Sequence, residues 1–117
     1  MAPSPAPAVV PWRTTMRERH LPVLRAAAWA ALLDHLGDED ADLSVEPPWR
    51  HVRRLSVPGV ERVEQTLTIR DDGDECHLAW CIGLTAEVDD PAADALLARL
   101  GAEGESLLDE VAARLGP

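Results

Sequence analysis

The feature that most constrains this chain is a hairpin signal: Asp72-Gly73 stands between two stretches in which apolar and polar residues alternate. Asp-Gly favours a two-residue type I′ turn. Centring the turn there pairs Asp71 with Asp74, Arg70 with Glu75 and Ile69 with Cys76. One face then collects Val63, Leu67, Ile69, Cys76, Leu78, Trp80 and Ile82. The other collects Arg62, Glu64, Thr66, Thr68, Arg70, Glu75, His77, Ala79 and Cys81. Two strands that sort separately into the same apolar and polar faces belong together, because side chains alternate with period two.

An earlier strand is expected over Arg50 to Val57, joined to the hairpin through Pro58-Gly59. A three-residue loop, Pro58-Gly59-Val60, sets Leu55 opposite Val63 and so buries it. The result is a three-stranded antiparallel meander. Before it, the pattern predicts an N-terminal helix from about Thr14 to Leu36, with Leu21, Leu24, Ala28, Leu32 and Leu36 on one stripe. Thr14 or Thr15 would cap it and Gly37 would end it, while Pro22 marks a kink or the true first turn. Asp38 to Asp42 reads as an acidic loop. After the sheet, Asp90-Pro91 opens a helix that Gly101 closes, and a last helix runs from about Gly104 to Leu115. The expected fold class is α+β in two layers: an N-terminal helix and two C-terminal helices on one face of a three-stranded meander.

A length of 117 residues suits one domain over 12–117, preceded by an extended Pro/Ala-rich arm, residues 1–11. The net charge of −10 is unevenly placed. Residues 1–33 hold four Arg and one acid, whereas residues 34–117 hold seven Arg and twenty acids. That excess argues against nucleic acid or anionic lipid as partner and leaves a basic protein open. The chain has no Lys, Asn, Phe or Tyr, the mark of a GC-rich, bacterial coding sequence, which makes its four Trp the only aromatic anchors. No apolar run reaches the ~20 residues of a membrane span, and the N-terminus lacks a secretory pattern. A cytoplasmic location is therefore expected.

The chemistry is sparse. Cys76 and Cys81 point to opposite faces of one strand and lie roughly 16 Å apart at ~3.3 Å per residue. They cannot share a metal ion or a disulfide, and no metal or cofactor is expected. The acidic turn Asp71 to Glu75 lacks the spacing of a calcium loop. Ser56 and Ser106 have no nucleophile-elbow context, and no Gly-rich phosphate loop exists, so no catalytic residue is assigned. The candidate ligand site is His51, Arg53, Gln65 and Trp80. The register sets Arg53, Gln65 and Trp80 in one cross-strand row on the apolar face, with His51 in the next. Buried, such groups need partners; open, they suit a carboxylate or a peptide. Thr66, Thr68, Ala79 and Cys81, on the opposite face, are the candidate interface of a homodimer or of a larger partner.

In size, charge and element order the chain resembles secretion-chaperone-like and immunity-like proteins. That resemblance implies a non-catalytic binding or accessory protein acting through protein contacts, and it carries no residue over. The alternatives are a small-molecule-binding domain or small enzyme using the polar groups of the sheet face, and an acidic inhibitor that mimics nucleic acid.

Overall fold

A computed structural model describes residues 12–37, 42–86 and 90–116. The elements are β1 (Trp12–Leu21), α1 (Arg25–Leu36), β2 (Asp42–Glu46), β3 (Arg50–Leu55), β4 (Val63–Asp72), β5 (Glu75–Thr85) and α2 (Pro91–Arg114). The strands form one antiparallel sheet in the order β1-β5-β4-β3-β2. Both helices pack on the same face. The proposed arm and most of the acidic loop lie outside the described residues.

The expected three-stranded meander with one N-terminal and two C-terminal helices is therefore corrected to five strands, a short helix after the first strand and one long helix at the end. Residues 12–21 are a strand, not the first half of a helix. Their inward side chains are Arg13, Thr15, Arg17, Arg19 and Leu21, opposite Leu84, Ile82, Trp80, Leu78 and Cys76 of β5. Four of these five are polar, so the period-two alternation carries no hydrophobic signal. Pro22 falls in the bend between β1 and α1. There it ends one element without interrupting another.

Gly101 and Gly104 do not break the last helix; both are buried within α2. They serve close approach, since a Cβ on Gly104 would stand 2.4 Å from Cδ2 of Trp80. Helix α2 starts where Asp90 accepts hydrogen bonds from the backbone of Ala92 and Ala93, with Pro91 in the first turn. The residues before Pro47-Pro48 form the edge strand β2, which the sequence pattern does not announce and which ends in a turn closed by the Trp49 amide on the Glu46 carbonyl.

The hairpin exists, but its turn is Gly73-Asp74. Asp72 opposes Glu75 and Ile69 opposes Leu78. Gly73 takes the first turn position at φ +65°, as a II′-type turn requires. The register moves by two residues, and a shift of two keeps every side chain on its face. Hence Val63, Leu67, Ile69, Cys76, Leu78, Trp80 and Ile82 all lie in the core. Leu55 opposes Val63. Leu21, Ala28, Trp29 and Leu32 from the N-terminal part, with Leu100, Leu108 and Val111 of α2, close the core over the sheet.

Candidate functional site

Helix α2 divides lengthwise. One flank carries Asp94, Glu105 and Asp109 towards β1. Asp94 pairs with Arg13, Glu105 with Arg17 at 3.4 Å, and Asp109 with Arg19. The positive N-terminal part of the sequence thus meets the negative C-terminal part across the fold. Arg114 and Asp34 add a pair between the two helices.

The other flank is open. Leu96, Arg99, Leu100, Glu103, Ser106, Leu107 and Glu110 recur at helical spacing and line two hollows. The first, about 290 Å³, lies between α2, the end of α1 and the inner face of β3–β5. Gln65, Trp80, Leu55, Leu100 and Leu107 line it, together with His35, Glu103, Ser106 and Glu110. The second, about 450 Å³, lies between the 57–60 turn and the first turns of α2, with Val57, Val60, Leu84, Leu96 and Arg99 in its wall. Thr85 Oγ1 borders that hollow, buried and without a hydrogen-bond partner among the described residues.

At the base of the first hollow the Trp80 indole donates to Gln65 Oε1 at 2.9 Å. Both side chains are buried, at 2% and 8% exposure. The bond satisfies the indole and uses the amide oxygen of Gln65, but neither of that amide's two N–H donors. A carbonyl or hydroxyl oxygen entering the hollow would meet those donors in a desolvated place, where a hydrogen bond is strongest.

The four candidate ligand residues separate. Gln65 and Trp80 meet, although not in one row: Gln65 opposes Arg53 on one side and Ile82 on the other, and Trp80 opposes Leu67. Their contact is diagonal, within reach of an indole. Arg53 is 5% exposed and donates to the Gly37 carbonyl at 3.2 Å, satisfying the end of α1. His51 is 1% exposed, in the row of Leu67 and Trp80. Neither lines either hollow. Thr66, Thr68, Ala79 and Cys81 occupy the outer sheet face, half-buried, with Met16 beside Cys81.

Sequence reasoning missed the α2 flank. Its signal was Glu103, Ser106, Leu107 and Glu110, spaced as one helical stripe, but the presumed helix break before Gly104 hid its continuity with Leu96 and Leu100. Cys76 is in the core and Cys81 on the outer face, so the two thiols do stand apart. Burial raises both thiol pKa values, and for Cys76 the Asp71 carboxylate adds to the rise while Arg25 opposes it. No described helix is long and apolar enough to cross a membrane.

No family model and no curated protein matches the chain in sequence. Solved structures do match in shape. CalU16 from Micromonospora echinospora superposes with a TM-score of 0.72 at 19% identity, covering 91% of this chain and 78% of that one. Ara h 8.0201 gives 0.69 at 9% identity, covering 89% and 97%. Protein MLL2253 from Mesorhizobium loti gives 0.67 at 16% identity, covering 88% and 96%. At these identities the likeness is one of fold: the chain is built as a small α+β domain shaped like CalU16 and Ara h 8.0201.

Proposed function

We propose that the protein binds a small, mostly apolar molecule bearing an oxygen acceptor, held between the inner sheet face and the open flank of α2. The observation that carries this reading is the hollow beneath Trp80. Its base is leucine and indole, and its buried amide has N–H donors that the indole does not use. A volume of about 290 Å³, with a larger hollow beside it, suits a compact ligand. The neighbours' fold is of a ligand-binding, polyketide-cyclase-like kind, which agrees with a binding role. Glu103 and Glu110 stand at the first hollow and form no ion pair among the described residues. They disfavour a carboxylate there and favour a neutral or amine-bearing molecule.

The role assigned is binding. The test is calorimetry with 1-octanol, octylamine and octanoate, which share a skeleton and differ in the head group. The alcohol should bind more tightly than the carboxylate, and Gln65→Leu should weaken the alcohol about tenfold, the worth of one buried hydrogen bond, while leaving the amine, which offers no acceptor, unchanged. Equal affinity for all three, unaltered in Gln65→Leu, would count against this site.

Contact with a second protein molecule is the other reading, favoured by edge strand β2. Leu43, Val45 and Trp49 are exposed on or beside it, and an open strand edge with apolar side chains invites pairing. Sedimentation of the wild type and of Leu43→Glu should show a dimer lost in the variant; a monomer in both would remove this reading.

A further inference from the structure

The outer sheet face carries a cluster that no part of the ligand reading uses. His20 of β1 and His77 of β5 are direct partners in the ladder. Their ring centroids are 5.1 Å apart, with the planes tilted by 55°. Asp72, from the end of β4, reaches His77 Nε2 at 3.0 Å. One ligand atom from each of His20, Asp72 and His77 lies within 4.8 Å of the others. Glu75 is a fourth candidate, with Oε2 at 2.8 Å from His20 Nε2.

We infer that His20, His77 and Asp72, with Glu75, form a site for a divalent transition-metal ion of the zinc class. Two imidazoles and two carboxylates are a borderline-soft donor set, suited to zinc, and two negative charges balance the ion. Tetrahedral zinc with bonds of about 2.0–2.1 Å needs its donors about 3.3 Å apart. From within 4.8 Å, the rotamers of the exposed His20 and Asp72 side chains supply the contraction towards the half-buried His77. The surroundings support it. Glu18 Oε1 stands 3.4 Å from His77 Nδ1, so a carboxylate orients the ring while Nε2 faces Asp72. A metal-bound histidine commonly has this arrangement. Arg70, 3.6 Å from Glu18, balances the charge of that outer carboxylate and not of the ligands.

The ligands come from three neighbouring strands, so the ion would pin edge strand β1 to the tip of the β4–β5 hairpin. The sequence hides the site because its pattern places His20 in a helix, 52 or more positions from Asp72 and His77, and the cysteines take no part.

The test uses untagged full-length protein, stripped with chelator and titrated with zinc at pH 7.5. The wild type should take up one zinc per chain and melt at higher temperature as zinc is added, since an ion that binds only the native state stabilises it. His20→Ala and Asp72→Asn should each lose the zinc-dependent rise in melting temperature, and Glu18→Gln should bind about tenfold more weakly. Both ligand positions are exposed, and metal-free melting curves check that each variant folds; Asp72→Asn keeps the side-chain shape and serves if His20→Ala does not fold. His35→Ala and Cys81→Ser should bind like the wild type. A wild type that takes up no zinc, or zinc binding of wild-type strength in folded His20→Ala or Asp72→Asn, would overturn the proposal.

Discussion

The indole of Trp80 lies against the backbone of Gly104, so close that a Cβ at position 104 would fall 2.4 Å from the ring. This one contact sets how near α2 comes to the sheet and how much space remains beside Trp80. At Gly101 the same hypothetical Cβ meets only the end of the Arg17 side chain, at 2.7 Å. Replacing glycine by alanine in a helix gains up to ~1 kcal/mol, whereas forcing extra volume into a packed core costs about 1–3 kcal/mol. Gly104→Ala should therefore lower stability in urea melts, by about 1–2 kcal/mol. In Gly101→Ala the flexible guanidinium can move aside, and stability should be unchanged or higher.

Arg53 gives a second measurable contrast. Its guanidinium donates to the carbonyl of Gly37 at the end of α1 and lines neither hollow. Arg53→Ala should cost about 1.5–3 kcal/mol of stability, the worth of a buried charge-assisted hydrogen bond. Binding of 1-octanol should stay at its wild-type strength. Urea melts and calorimetry on one preparation check both halves.

The arginines of β1 are tested by a double-mutant cycle. Arg19 and Asp109 form an ion pair with both side chains partly exposed. Exposed pairs are worth about 0.2–1 kcal/mol and are screened by salt. The cycle of Arg19→Ala with Asp109→Ala should give a coupling in that range at low salt and none in concentrated salt. A coupling absent under both conditions would mean that this pair does not help to hold β1 against α2.

The thiols have a pH signature. Burial raises the pKa of Cys76 and of Cys81 above the ordinary value of 9.0. Unfolding releases them to ionise more easily, so the unfolded chain binds fewer protons once the pH exceeds 9.0. Stability held by the neutral thiols is complete below that pH and declines above it. A Cys76→Ser/Cys81→Ser protein should show a weaker alkaline decline than the wild type. At pH 7.5 a thiol reagent should modify Cys76 only on unfolding, because it is fully buried.

What the sequence disclosed, and what it hid, follows from where hydrophobic patterning speaks. Strands β4 and β5 were legible because their inward residues are nearly all apolar. A turn displaced by one residue left every side chain on its face. Gln65 and Trp80 were legible as polar groups on an apolar face, and they meet. Strand β1 was silent because its inward residues are mostly arginines, whose partners lie 81 to 90 positions away on α2. The continuity of α2 was hidden because glycine in a sequence reads as a helix stop, while Gly101 and Gly104 allow close packing. The hollow was hidden by the second of these, since its wall is the unbroken flank of α2.

The central claim is that a small apolar ligand enters the hollow at Trp80 and hydrogen-bonds to Gln65. The most direct measurement is the ¹H–¹⁵N spectrum of the full chain, whose four Trp give four indole signals. The Trp80 signal is assigned by its loss in Trp80→Phe. On addition of 1-octanol, the indole signal of Trp80 and the side-chain amide of Gln65 should shift together and saturate, while Trp12 and Trp49, exposed elsewhere, stay in place. Shifts confined to Trp12 or Trp49, or four indole signals unmoved at the highest soluble concentration, would contradict it.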